Sequence, residues 1–198
     1  MTTSFTVDPA PIRATALLHQ EGILAVVAAV GLFFRGQGPM TALLPRTSWI
    51  ESLGAGVITG AGALAFMGFL LLIPIVKDLE RWQAGMVRDW TMLDAVAVGV
   101  FSGLAEEALI RALLQPWIGL VAAAVLFALL HIVPDRRLWA WPVIALVLGL
   151  VFGLVFERWG YPAAALAHLV VNLVSLLRLR RKFSGTSTAG SDSGPVDG

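Results

Sequence analysis

Long apolar runs, broken only by isolated polar residues, dominate this chain. A bilayer core of about 30 Å takes about 20 apolar residues in a helix, and that ruler picks out the crossing segments. Ser52–Val76 carries no charge, and Leu138–Phe156 carries none either. Ala112–Val133 holds only His131 as an ionisable group, and Trp159–Leu177 only His168. A further span is expected from about Met92 to Leu114, although Asp94, Glu106, Glu107 and Arg111 lie within it. Gly22–Phe34 is shorter, and extending it backward takes in Glu21, Gln20 and His19. It either crosses or lies in the interface. FRGQG after this run lacks a small-x-small cleavage pattern, so an uncleaved segment is expected. No strand alternation competes with the helices. The pattern predicts an all-α, polytopic transmembrane helical bundle of about six spans.

Composition agrees. Of 198 residues, 58% are apolar and 14% charged, with a mean hydropathy of +0.82, against about 45–50% and about 25% in soluble domains. This excludes a soluble globule, a disordered chain and a collagen-like one. With no cysteine, disulfides, thiolate zinc sites, thiol nucleophiles and S-acylation are excluded. A net charge of +1 gives no pull toward nucleic acid, so the expected partner is the lipid bilayer. With six spans, Arg13, Lys77, Arg81, Arg88, Arg136, Arg137, Arg178, Arg180, Arg181 and Lys182 share one side, against Arg35, Arg46 and Arg158 on the other. The positive-inside rule then predicts a multi-pass protein of the cell (inner or plasma) membrane with a cytoplasmic C-terminus.

Residues 1–183 read as a single integral-membrane helical domain, with the polar motifs in about 92–177. Ser184–Gly198 reads as a disordered cytoplasmic tail, and the RLRRK before it as an anionic-lipid anchor. Gly56/Gly60, Gly99/Gly103 and Gly149/Gly153 are small-xxx-small pairs that let helices approach closely. Pro116 is expected to end the Met92–Leu114 span, Asp94 to cap or flank a helix, and His19 to sit in the interface. Trp90, Trp139, Trp141, Trp159 and Tyr161 near the span ends read as interfacial aromatics.

The informative residues break the apolar pattern. A charge at mid-bilayer costs about 2.5–3.5 kcal/mol on insertion scales, so ionisable groups there face a protein interior and usually work. Three pairs share one spacing: Glu107 and Arg111, Phe127 and His131, His168 and Asn172. Residues four apart stand on one helix face, so each pair can enter a common cavity from its own helix. Glu106 and Glu107 diverge by about 100° around the helix and cannot share one role. Glu107 can pair with Arg111, whereas Glu106 has no local cation and can act as a general base. Each feature also has a structural reading: a Glu–Arg staple, an interfacial His131, interhelical hydrogen bonding by His168 and Asn172, and core packing by Phe127.

Taken in order, Glu106-Glu107-x-x-x-Arg111, Phe127-x-x-x-His131 and His168-x-x-x-Asn172 resemble the CAAX-protease and bacteriocin-processing (CPBP) family of glutamate-dependent intramembrane endopeptidases. The resemblance covers about residues 95–177. It implies that Glu106 is the general base toward water, that His131 helps hold and polarise that water, and that His168 and Asn172 donate to the oxyanion. It casts Glu107 and Arg111 as the support of the Glu106 helix. The implied substrate is a protein or peptide in the membrane, cut near its C-terminus or leader, and no cofactor is implied. The family often has an aromatic before the motif arginine and a glycine after it, where this chain has Ile110 and Ala112. That departure points to a prokaryotic member, for instance a myxosortase-like one.

Three other readings stay open. Two His and a Glu can make a zinc site, giving a metal-dependent membrane protease, although HExxH is absent. A non-catalytic scaffold or immunity protein would keep the fold without turnover. A transporter also uses intramembrane Glu and His, but no inverted repeat accompanies them.

Overall fold

The computed structural model describes residues 9–36, 39–133, 135 and 138–184. Among these the regular structure is helical: α1 (Ala14–Phe34), α2 (Pro39–Ala42), α3 (Trp49–Leu70), α4 (Pro74–Met86), α5 (Met92–Glu107), a π-helical segment (Ala108–Leu114), α6 (Gln115–Leu130), α7 (Ala140–Trp159) and α8 (Tyr161–Ser184). Five stretches are long and apolar enough to cross a membrane, α5 to α6 counting as one of 39 residues. The protein is a multi-pass membrane bundle. Its large apolar side chains point outward, Ile58, Phe33 and Leu93 among them. Small residues such as Ala95, Ala123, Ala163 and Ala167 fill the interior, as packing between helices in lipid requires.

Several boundaries differ from the expected ones. The short first span is a full 21-residue helix that takes in His19, Gln20 and Glu21 ahead of Gly22–Phe34. The run Ser52–Val76 is two elements. Its membrane helix starts earlier, at a capping box in which Ser48 accepts from the Glu51 amide and Glu51 accepts from the Ser48 amide. It stops at Leu70, and Pro74, which has no N–H to continue a helical ladder, opens the amphipathic α4. Pro116 does not end its span. The helix runs past it to Gly119, whose φ of 80° and ψ of 167° break the backbone, a conformation open to glycine alone at low cost. The helical run from Met92 therefore reaches Ile118, and Leu120–Leu130 continues beyond the break as a shorter helical piece.

Pro116 still leaves a mark. It gives no hydrogen bond to the preceding turn, and Arg35 from α1 supplies the donor instead, at 3.3 Å to the Ala112 carbonyl and 2.7 Å to that of Leu113. Asp94 completes a capping box with Thr91 at the start of α5, as expected. Trp90 is not an exposed interfacial ring. It is buried, and its indole N–H donates to the Ile12 carbonyl at 2.7 Å.

The glycine pairs set the helix approaches. A Cβ on Gly103 would lie 2.7 Å from the Leu169 amide nitrogen, and one on Gly99 3.0 Å from the Leu173 Cα. Gly56 and Gly60 do the same for α3 against α8 around Ala163 and Val170, and Gly149 brings α7 onto Ala124 and Phe127 of α6. Helix α8 is thus clasped between α3 and α5, backbone close to backbone. Lysine and arginine separate by end: Lys182 and Arg178 pair with Glu80 of α4 at one, and at the other Arg46 donates to the Glu157 carbonyl. Arg136 and Arg137 lie outside the described residues. So do residues 185–198 of the expected tail, while Ser184 belongs to α8.

Candidate active site

The close approach of α5 and α8 at Gly103 sets Glu107 opposite His168. Glu107 is wholly buried. Its Oε2 accepts from Arg111 Nε at 3.0 Å, and its Oε1 lies 3.0 Å from His168 Nδ1. A carboxylate only accepts, so the imidazole hydrogen sits on Nδ1 and His168 Nε2 is left as an acceptor. Nε2 is 3.0 Å from Asn172 Nδ2, which also donates to Ser102 Oγ at 2.8 Å. The result is one continuous chain, Arg111–Glu107–His168–Asn172–Ser102, running across α5, the π segment and α8. Within it Asn172 uses both amide hydrogens on the protein, so service to a substrate requires exchanging one of them.

Arg111 extends the chain in the other direction. Its Nη1 donates to Gln115 Oε1 at 3.4 Å, and Gln115 Nε2 donates to the Gly153 carbonyl and to Glu157 Oε1, each at 3.1 Å. The guanidinium also lies over the Phe127 ring, 5.3 Å from its centroid. Arg111 Nη2 is buried without a hydrogen-bond partner. The π-helical turn from Ala108 to Leu114 carries Arg111 and Ile110 at its centre, and such turns recur at functional sites.

Phe127 packs as expected and does more. Its ring lies 4.6 Å from the His131 ring and 5.6 Å, edge-on, from that of His168. His131, at the end of α6, folds back so that Nδ1 is 2.8 Å from the Phe127 carbonyl oxygen. That carbonyl can only accept, which leaves His131 Nε2 as the ring's acceptor atom. His131 thus joins the cluster through Phe127, and Trp141 flanks it with ring centroids 6.0 Å apart. On the other side of the site, Phe152 stacks on His168 at 5.3 Å. Phe152 lies near the middle of α7, so the cluster sits in the middle of the bundle. Glu106 is central as well, because its helix continues beyond Leu114 to Ile118.

Glu106 is half-buried, and no arginine or lysine reaches it among the described contacts. What faces it is another acid, the Glu21 carboxyl of α1, within reach of a shared hydrogen, and His168 is close enough to both to interact electrostatically. Glu21, Ser102 and Gln115 escaped the sequence reading as site residues. Gln115 continues the i, i+4 series one turn past Arg111, and Ser102 precedes Glu106 by the same interval. Glu21 showed only as an acid interrupting a weak span. Among the described residues, no group of three or more His, Asp or Glu is arranged to hold a metal ion.

The fold and site together define a polytopic helical membrane protein with a buried glutamate–arginine–histidine–asparagine chain at its centre. Residues 88–174 match the family model described as type II CAAX prenyl endopeptidase Rce1-like. The match takes in every residue of the three ordered motifs, and this stretch of the chain is similar to the family that they resemble. It supports a CAAX-type membrane protease and does not single out a myxosortase-like subtype. Neither the curated proteins nor the solved structures give a match.

Proposed function

We propose that this protein is an intramembrane endopeptidase in which Glu106 activates a water molecule. The observation that carries the reading is the opposite treatment of two adjacent carboxylates. Glu107 is consumed by Arg111 and His168, whereas Glu106 stands beside the same imidazole with no cation of its own among the described residues. Glu106 takes a proton from water as the oxygen forms a bond to the scissile carbonyl carbon. The carbonyl oxygen becomes an oxyanion, stabilised by Asn172 once it turns a hydrogen toward it, while His168, whose own hydrogen is held on Nδ1 by Glu107, orients the Asn172 amide through Nε2. The proton on Glu106 then passes to the amide nitrogen as the C–N bond breaks, leaving an acid and an amine. His131 holds and polarises the water from the opposite side, with Phe127 setting its distance.

Glu107 and Arg111 hold His168 in the tautomer with hydrogen on Nδ1. The reading needs no metal, since Glu107 and His168 already satisfy each other. The substrate class is a membrane-associated protein cut near its C-terminus or leader. The protein then resides in the cell membrane with its C-terminus in the cytoplasm. The test is turnover of a fluorogenic peptide by purified protein in detergent. Glu106→Gln is expected to lower kcat by about 100- to 10,000-fold, the usual worth of a general base, with an unchanged melting temperature. Normal turnover by Glu106→Gln overturns the assignment.

A further inference from the structure

α1 touches lipid along most of its surface, with Ile23, Val26, Val30 and Phe33 exposed. Its buried stripe is Ala14, Glu21, Ala28 and Leu32. One acid therefore sits on the inward face of an otherwise apolar rod, only 4% exposed. An ionisable group at this depth carries a large insertion cost and persists when it has work to do.

The groups facing Glu21 from the elements packed on α1 decide what that work is. From α5, which packs along α1, comes Glu106, within reach of a shared hydrogen, and from α8 comes His168, near enough to interact electrostatically. The π segment brings Arg111, whose Nε is committed to Glu107. On α1 itself the nearest titratable neighbour is His19, which is exposed. No donor reaches Glu21 Oε2, which is buried without a partner. Two carboxylates only accept, so contact between Glu21 and Glu106 requires a hydrogen between them. Like-charged carboxylates this close share one proton, as in the aspartic-protease dyad.

We propose that Glu21 is a positioning residue of the site, a second carboxyl that shares a proton with Glu106 and fixes its free oxygen toward the water. The proposal rests on Glu106 being the general base. With Glu21 protonated and Glu106 ionised, the Glu21 O–H donates to one Glu106 oxygen, and the other oxygen takes the proton from water. The shared proton stays with the dyad throughout, so hydrolysis balances as before. The working state carries one proton on two carboxyls. Activity then falls both when acid adds a second proton and when base removes the last one.

The experiment compares Glu21→Gln and Glu21→Leu with the unaltered protein, using the same fluorogenic peptide across a pH series and thermal unfolding in the same detergent. Gln keeps a donor toward Glu106 but has no proton to lose. It is expected to retain kcat within a few-fold at the optimum and to lose the alkaline fall in kcat that the dyad produces. Leu keeps the volume without the donor and is expected to lower kcat about 10- to 100-fold, part of the span assigned to general-base catalysis, with little change in KM and no loss of melting temperature. A purely structural Glu21 predicts a lowered melting temperature in Leu and the original pH profile in Gln, and that pair of results overturns the proposal. Wild-type kcat and pH profile in both variants overturn it as well. If Glu106→Gln is inactive while both Glu21 variants behave as wild type, the dyad fails and the base assignment survives. An active Glu106→Gln removes both.

Discussion

The two sides of α5 carry neighbouring glutamates in opposite environments. Toward α8 and the π segment, Glu107 is enclosed, and its two oxygens are bonded to Arg111 and His168. Toward α1, Glu106 is half-buried and, among the described residues, faces Glu21 and, at longer range, His168. One side is a carboxylate with both oxygens bonded, and the other is a carboxyl with no cationic partner among the described residues. A membrane interior magnifies the distinction, because bulk water is scarce there and a missing partner is costly. Polar residues in such a site divide by what they are bonded to. Residue type alone would assign Glu106 and Glu107 the same role.

The sharpest way to break the contrast is to exchange the effects of the two sides. Arg111→Ala leaves Glu107 buried and uncompensated, which is expected to cost about 3–5 kcal/mol of stability. Thermal unfolding in detergent checks this, and activity should be lost along with the folded fraction. Glu106→Gln is expected to do the reverse, losing turnover while melting normally. Should Arg111→Ala melt like the parent, Glu107 is not the fixed member of the pair.

Gly103→Ala is the next test. Its added methyl would meet the Leu169 backbone, forcing α5 away from α8 at a cost of about 1–3 kcal/mol for overpacking. Activity should fall further than stability, since the shift separates Glu107 from His168. Gly62→Ala is the control: a Cβ there meets nothing within 4 Å, and the change should be neutral or raise stability by about 0.5–1 kcal/mol.

The smallest effect is expected at the C-terminal end of the bundle. Glu80 pairs with Arg178 and Lys182, whose side chains are 56% and 45% exposed. Glu80→Gln should cost less than about 1 kcal/mol and leave turnover unchanged. A chelator such as 1,10-phenanthroline should likewise leave turnover unchanged. Inhibition reversed by added zinc would instead favour a metal-dependent protease.

Much of the architecture was legible from the pattern of apolar runs, because a bilayer demands a fixed length of uncharged helix. The ends were less so. Ser52–Val76 is continuously apolar whether or not it is a single helix, and hydropathy does not register that Pro74 starts a new one. Pro116 looked like a terminator, yet Arg35 from α1 supplies a donor to the carbonyl left by its missing N–H. The break falls three residues later at Gly119, where the backbone takes a positive φ.

The i, i+4 spacing in the sequence was enough to put Glu107 with Arg111 and His168 with Asn172, since the helical repeat alone sets those neighbours. It was also enough to separate Glu106 from Glu107, because adjacent residues must diverge around a helix. Only the tertiary structure decided that Glu107 meets His168, that Phe127 links the two imidazoles, and that Glu21 faces Glu106. Those contacts join helices far apart in the chain. They depend on how closely α5 approaches α8 at Gly99 and Gly103 and on which stripe α1 turns inward, and local sequence periodicity specifies neither.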